Sequence, residues 1–422
     1  MKRYLSLLSI GFLITVLFMT HGNAQTLWTK DAQNPVLNVG LSDSWDDAWV
    51  SYPIVIHDDT QFIMYYTGWP DISPFGTKVG RATSSDGINW TREDTNPVIT
   101  VGSESQWDDE SVSSGPVIFN GSEYKMWYCG LDGTIYRSGL ATSNDGIDWT
   151  KYADNPVLDV GESGQWDDNM VVMCSVTFDG IFYKTWYYGR ETRTGIWRVG
   201  LATSVDGINW ERYAGNPILD IGETGEWDDT DIANVSVLYN NGIYEMWYGA
   251  SDGSVKRTGY ATSEDGLTWQ KDTLNNPILV PEANWESAGT EVGSVLFHNS
   301  MYKMWYNGET LSVGKIGYAT APVTRIEEYT HDHVVQNFQL KQNYPNPFNP
   351  KTVISWQLPK ISHVDLSVYN ILGQKLATLV LEKQRAGHHE ILFNGENFPT
   401  GIYIYRIQAN EWGDFKKMML IK

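Results

Sequence analysis

The chain has 422 residues, with 51 acidic side chains against 30 basic ones and a formal net charge of −21. That length provides for two or three domains and a large core. The acidity is uneven, net −27 over residues 25–333 and net +4 over 334–422, so the body lacks the clustered Lys and Arg that nucleic acid or an anionic membrane surface would require.

Residues 1–24 read as a secretory signal peptide. Lys2 and Arg3 precede an apolar run from Leu5 to Met19, and Gly22 and Ala24 supply the small residues before cleavage, expected after Ala24. The run is shorter than the roughly 20 residues of a spanning helix, and no other segment could cross a bilayer as one.

From Trp45 onward the chain repeats. Copies begin at Trp45, Trp107, Trp166, Trp227 and Trp285, a spacing of 62, 59, 61 and 58 residues. Such a period marks a repeat architecture. Each copy has short hydrophobic runs between turn signals, which predicts four strands. The inner strands are expected at Tyr52–Ile56, Gly115–Phe119, Cys174–Phe178, Val235–Tyr239 and Gly293–Phe297. The second strands are FIMYYTG from Phe62, YKMWYCG from Tyr124, YKTWYYG from Tyr183, YEMWYGA from Tyr244 and YKMWYNG from Tyr302. The third carry Gly80, Gly139, Gly200, Gly259 and Gly317 shortly before an Ala-Thr pair, and the outer strands start at Trp90, Trp149, Trp210 and Trp269. Asp-Gly pairs at Asp86, Asp145, Asp206 and Asp265 precede those tryptophans. Glycine accepts positive φ and Asp can bond its own turn, so the pairs read as tight structural connections.

The fifth copy ends at Tyr318-Ala319-Thr320 without an outer strand. Trp28 stands six residues before Asn34-Pro35, just as Trp90 stands six before Asn96-Pro97. The missing strand is therefore expected from the N-terminus, which closes a ring and leaves no end repeat to cap. The expected fold is all-β: a five-bladed β-propeller over 25–323, closed by an N-terminal strand.

All of the 19 tryptophans except Trp356 and Trp412 fall in this ring, and most occupy repeated slots that packing explains. Trp49, Trp69 and Trp197 do not, and they are the candidates for ligand contact. Cys129 and Cys174 lie in apolar strands with no metal-ligand spacing and read as small buried hydrophobes, with a disulfide between them left open.

Residues 324–335 lose the repeat and read as a linker. His331 and His333 within it are a weak metal pattern. Residues 336–422 show alternating apolar strands between Gly, Pro and Asn turns, which predicts a small immunoglobulin-like β-sandwich. Its landmarks YPNPFNP, NILGQ, PTGIY and a basic terminus, in that order, resemble the C-terminal sorting domain of the type IX secretion system. The resemblance implies contact with that machinery and export to the exterior or cell surface of a Gram-negative bacterium.

Function is sought at the inner-strand starts, which face the funnel of such a ring. The shared Trp-Asp-Asp there is read as structural, with an axial cation on its carboxylates as the minority view. Acids that break the repeat are more informative: Glu110, Asp231 and Glu291, with Asp47 held in reserve beside Glu110. Two convergent carboxylates are what glycoside hydrolysis requires, one to protonate the leaving oxygen and one to attack or to activate water.

The inner strands paired with YKMWYxG, the GxATSxDGxxW runs and the NPVL segments resemble the five-bladed superfamily of arabinanases, β-xylosidases, levansucrases and invertases, including glycoside hydrolase families 43 and 32, and the related mannoside phosphorylases. Family 43 would place its acids at Tyr52, Gly115 and Met173, none of which can do that chemistry, and the family 32 opening motif is absent. Sialidase-like turns would call for an arginine cluster, for which Arg190, Arg193 and Arg198 are the local concentration. The expectation is a secreted carbohydrate-active protein, a divergent glycoside hydrolase acting on poly- or oligosaccharides, with Asp231 and Glu291 first among the carboxylates. Trp49, Tyr52, Trp69, Arg190 and Trp197 would touch substrate, with no catalytic metal or cofactor, and a monomer is expected. The alternative is a glycan-binding or surface-adhesion propeller that cleaves nothing.

Overall fold

A computed structural model of the chain describes residues 28–71, 76–179, 182–240, 242–322, 338–384, 387–410 and 412–422. The signal segment at 1–24 and the linker at 324–335, with His331 and His333, lie outside the described residues. None of the described helices is long and apolar enough to cross a membrane.

One antiparallel arrangement recurs along the chain. In the third unit it comprises Met170–Phe178, Tyr183–Arg190, Trp197–Ser204 and the short outer strand Glu211–Arg212. The first unit starts with Trp49–His57, the fourth with Asp231–Asn240 and the fifth with Gly289–His298. The second unit's inner strand is broken into Ser111–Ser113 and Val117–Phe119. Inner strands thus begin three or four residues earlier than the hydrophobic pattern indicates. The cause is a bulge in register after Ser51, Met173, Ala233 and Val292, whose extra residue breaks the period-two alternation. Tyr52 (φ 50°) and Asn234 (φ 42°) occupy two of these bulges.

Neighbouring units are stitched where a third strand meets the next inner strand: Tyr136 with Met170, Lys256 with Gly289 and Gly314 with Trp49. The last of these joins the fifth unit to the first. The fifth unit takes its outer strand from the N-terminus, with Thr29 opposite Thr320 and Lys30 opposite Ala319.

The repeated residues do the same work in each unit. The first acid of the Trp-Asp-Asp loop is buried, as Asp46, Asp108, Asp167, Asp228 and Glu286. Each accepts a bond from the tyrosine hydroxyl of its own second strand. A cation from the outer strand, Arg92, Lys151, Arg212, Lys271 or Lys30, completes the pair at 2.5–2.9 Å. These carboxylates are therefore committed one by one within their units rather than gathered around an axial ion. The Asp-Gly turns also behave as the sequence suggests: Asp86 Oδ1 accepts from the Ile88 and Asn89 amides, and Gly87 has φ 83°. The turn carbonyls reach across the unit boundary as well, since Trp127, Trp186 and Trp305 donate their indole N–H to Gly207, Gly266 and Gly87.

Beyond the ring lie two antiparallel sheets. One holds Gln339–Leu340, Lys351–Leu358 and Gly387–Asn394, and the other Lys375–Gln384, Ser362–Asn370, Gly401–Ala409 and Trp412–Leu420. Trp356, Leu366, Tyr405 and Ile407 are fully buried in the core that they share.

Candidate functional site

The inner strands enclose a cavity of about 150 Å³ lined from all the units of the ring. Its lining is largely apolar and aromatic: Trp197 stacks on Tyr188 with ring centroids 5.4 Å apart and planes 5° apart, and Tyr136 also lines it. Tyr52 and Trp69 continue the lining, with their rings 6.1 Å apart. Flat apolar faces with polar edges suit a sugar ring.

Beside the cavity, at the junction of the fourth and fifth units, lies a charged cluster whose acids and lysine are not part of the lining. Glu291 stands opposite Asn307 in the fifth unit's ladder and is only 6% exposed. Burial pushes its carboxyl above the usual range and Glu309 adds to this, while Lys256 and the amides of Asn234 and Asn307 oppose it. The Lys256 ammonium lies 3.8 Å from Glu291 Oε2 and 3.1 Å from Glu309 Oε1. These carboxylates hold it above the usual lysine value, Glu291 most strongly. Asp231, at the start of the fourth inner strand opposite Ser251, is half-buried. Burial also raises its carboxyl, against the Trp197 amide, Lys256 and Arg190.

Tyr52 links the lining to the charged cluster, since it lines the cavity and feels Lys256, Glu291 and Glu309. A bulky residue in the left-handed region is unusual and marks an imposed conformation. The Asn307 side chain accepts its N–H at 2.6 Å, and its carbonyl accepts the Ser114 hydroxyl at 2.6 Å, so the fifth and second units together hold it. Burial pushes its phenol up despite Lys256, which makes it a hydrogen-bond donor rather than a nucleophile.

The sequence-derived residues thus separate. Tyr52, Trp69 and Trp197 line the cavity, whereas Asp231, Glu291 and Arg190 lie outside the lining, where Lys256 acts on both acids and Arg190 on Asp231. Asp47 joins neither set: its carboxylate accepts the Asp43 and Asp71 amides and ties its own loop, as Asp168 does with Gly164 and Thr192. Glu110 is exposed one residue before its inner strand; like Asp231 and Glu291 it is absent from the lining, and its charge acts on Tyr136 rather than on Lys256. Trp49 packs behind the lining, against Gly314 and edge-on to Trp69. The arginine cluster disperses, because Arg193 pairs with Glu191 and Arg198 with Asp220. Arg190 remains, its Nε buried with no hydrogen-bond partner among the described residues. Cys129 and Cys174 are both free and both line the cavity, and burial pushes the Cys174 thiol up to about 12.

Sequence reasoning missed Lys256, Glu309, Asn234 and Asn307. A signal for two of them existed in the variable position of YKMWYxG and in the residue two places after it. Across the five units these positions read Thr67 and Trp69, Cys129 and Leu131, Tyr188 and Arg190, Gly249 and Ser251, and Asn307 and Glu309. Of these, Trp69, Cys129 and Tyr188 line the cavity.

Comparison with known proteins bears on the fold and the domains. Residues 53–172 match the glycosyl hydrolases family 32 N-terminal domain, and residues 342–422 match the secretion system C-terminal sorting domain. An uncharacterized protein of Mycobacterium tuberculosis is 29% identical over 235 residues, covering 53% of this chain and 75% of the relative. A 1,2-beta-oligomannan phosphorylase of Thermoanaerobacter sp. (strain X514) is 26% identical over 307 residues, covering 67% and 94%. A solved structure from the GH130 family of mannoside phosphorylases, described as containing hydrolases that target β-1,2 mannosidic linkages in Candida mannan, superposes with a TM-score of 0.56 at 18% identity, covering 70% and 94%. The chain shares its fold with these propeller proteins.

Proposed function

We propose that the chain is a secreted carbohydrate-active protein that cleaves glycosidic bonds of poly- or oligosaccharides at the charged cluster beside this cavity. On this reading the repeated units are five blades of a β-propeller over 25–323, made after removal of the 1–24 leader and working as a monomer. The linker 324–335 leads to an immunoglobulin-like sorting sandwich over 336–422, which engages the type IX machinery and directs the protein to the exterior or cell surface.

One observation carries the catalytic assignment: Asp231 and Glu291, on adjacent units, both have raised carboxyl pKa values and both interact with Lys256 beside an aromatic-lined cavity. Environments that differ assign the roles. Glu291, the more deeply buried, retains a proton and delivers it to the leaving glycosidic oxygen. Asp231, half-open and flanked by Arg190, Lys256 and a backbone amide, supplies the carboxylate that steadies the developing positive charge or activates water. Trp69, Tyr52 and Trp197 hold the sugar, the indoles through their faces and Tyr52 through its hydroxyl. The test is release of reducing ends from a glycan panel that includes β-1,2-mannooligosaccharides. Asp231→Asn and Glu291→Gln should each lower kcat by about 10²–10⁴. Retention of a glycan with no release across the panel would support the non-catalytic adhesion alternative.

A second reading rests on Arg190. Its buried, unpartnered Nε beside Asp231 is suited to an oxyanion acceptor, and two relatives are named as mannoside phosphorylases. Cleavage that needs added inorganic phosphate, yields a sugar 1-phosphate and is lost in Arg190→Met would select transfer to phosphate over hydrolysis.

A further inference from the structure

The repeat provides an internal control for the charged cluster. At the place of Glu291 the other units have Ser51, Ser113, Val172 and Ala233. At the place of Lys256 they have Thr77, Tyr136, Trp197 and Gly314. Glu309 replaces Trp69, Leu131, Arg190 and Ser251, and Gly249 replaces Thr67, Cys129, Tyr188 and Asn307. Four departures from one repeat meet in one place. Lys256 touches both acids, and Glu291 lies in the room that Gly249 leaves. A scaffold alone needs none of them, since the other units close without them.

The ammonium is not shared evenly. It stands within hydrogen-bond distance of Glu309 at 3.1 Å but 3.8 Å from Glu291, and Glu309 is the more solvated of the two acids. One cation beside two carboxyls in a poorly solvated place leaves room for one proton. A charged Glu291 would be the stronger influence on Lys256, but the ammonium is within hydrogen-bond distance of Glu309 and not of Glu291, so the geometry puts the ion pair on Glu309 and the proton on Glu291. Building on the assignment of Glu291 as proton donor, we propose that Glu309 is a positioning residue that draws Lys256 to itself and so leaves Glu291 free to carry the proton. The other groups that act with Glu291 are Tyr52 from the first unit, Tyr188 and Cys174 from the third, Asn234 from the fourth and Asn307 from its own ladder. None of these is a cation, so Lys256 is the positive charge whose placement decides the matter.

The test is a ¹³C-carboxyl NMR titration of the full chain labelled on glutamate, with the Glu291 signal assigned by its disappearance in Glu291→Gln. Two variants should move its midpoint in opposite directions. Glu309→Gln frees Lys256 to pair with Glu291 and should lower the midpoint by about one pH unit or more, the scale of an opposite charge at contact. Lys256→Met removes the cation and should raise it. Glu309→Asp, which shortens the acid but keeps its charge, should lower it by less, and it serves if Glu309→Gln folds poorly. A midpoint that is unchanged or raised in Glu309→Gln and Glu309→Asp, or lowered in Lys256→Met, would overturn the proposal, whereas a purely structural role predicts no such opposition. The titration needs no turnover, so a chain that cleaves no glycan yet shows these shifts would lose the catalytic reading and keep the coupling.

Discussion

Gly249 makes the place that Glu291 occupies: a β-carbon on Gly249 would stand 2.4 Å from Glu291 Cγ and 2.6 Å from its Oε1. Gly249→Ala must therefore displace the acid or its strand. The backbone at Gly249 is not in the left-handed region, so the cost comes from overpacking alone, about 1–3 kcal/mol. Urea unfolding should show that loss. Glycan turnover should fall with it, because the displaced carboxyl no longer meets Asn234 and Asn307. Stability lost with turnover intact would show that Glu291 does not act from this position.

The same residue shows what a sequence can carry. Repetition pointed to the outer strand that the N-terminus supplies, through Trp28 and Asn34-Pro35, and to the structural duty of the Trp-Asp-Asp loops, because each pattern appears in the chain several times with one meaning. Glu291 and Asp231 stood out as breaks in that repetition. Lys256 did not, because a lysine at the start of a third strand looks like an ordinary solvated end, and only the fold brings Glu309 back beside it. Asp47 misled for the opposite reason: it looked reactive in the sequence, yet backbone amides 4 and 24 residues away occupy its carboxylate. The inner-strand bulges hid the true strand starts, and with them the torsion of Tyr52.

Stability should depend on pH through Glu291. Its carboxyl is raised in the folded chain, so the folded state holds the proton more tightly than the unfolded one. Its contribution is complete below the ordinary glutamate range and is lost as pH rises through the raised value. Glu291→Gln cannot ionise, and Lys256 retains Glu309 at 3.1 Å. The stability of Glu291→Gln relative to the native chain should therefore improve from pH 5 to pH 8, read as the difference between urea midpoints. A relative stability of Glu291→Gln that stays flat or falls from pH 5 to pH 8 would mean that the Glu291 carboxyl is not raised in the folded chain.

Closure of the ring can be tested at Lys30. Its ammonium donates to Glu286 Oε1 at 2.5 Å and to the Val280 carbonyl at 2.6 Å, and Glu286 is 0% exposed. Lys30→Met would leave that carboxylate with only neutral donors, among them the Tyr306 hydroxyl. Removing one partner of a buried pair costs about 3–5 kcal/mol. Hydrogen exchange should rise first along Gly314–Pro322, the strand that the N-terminal segment covers. Equal protection of that strand in the native and variant chains would show that the outer strand is not needed to hold the fifth unit.

Two tryptophans separate binding from packing. Trp127 fills a repeated slot, is 0% exposed and donates its indole N–H to Gly207 across the unit boundary at 2.7 Å. Trp127→Ala should cost about 3–5 kcal/mol in unfolding free energy. Trp197 fills no repeated slot and lines the cavity, and its chief partner is the stacked ring of Tyr188. Trp197→Ala gives up that stack, worth about 0.5–1.5 kcal/mol, while removing an aromatic face from the glycan. Affinity for a bound oligosaccharide, measured by titration calorimetry, should fall about tenfold, the scale of an aromatic anchor worth about 1.4 kcal/mol. The two variants should therefore invert in rank between the unfolding and binding measurements. If Trp197→Ala binds glycan as the native chain does, the aromatic wall is scaffold and the sugar lies elsewhere.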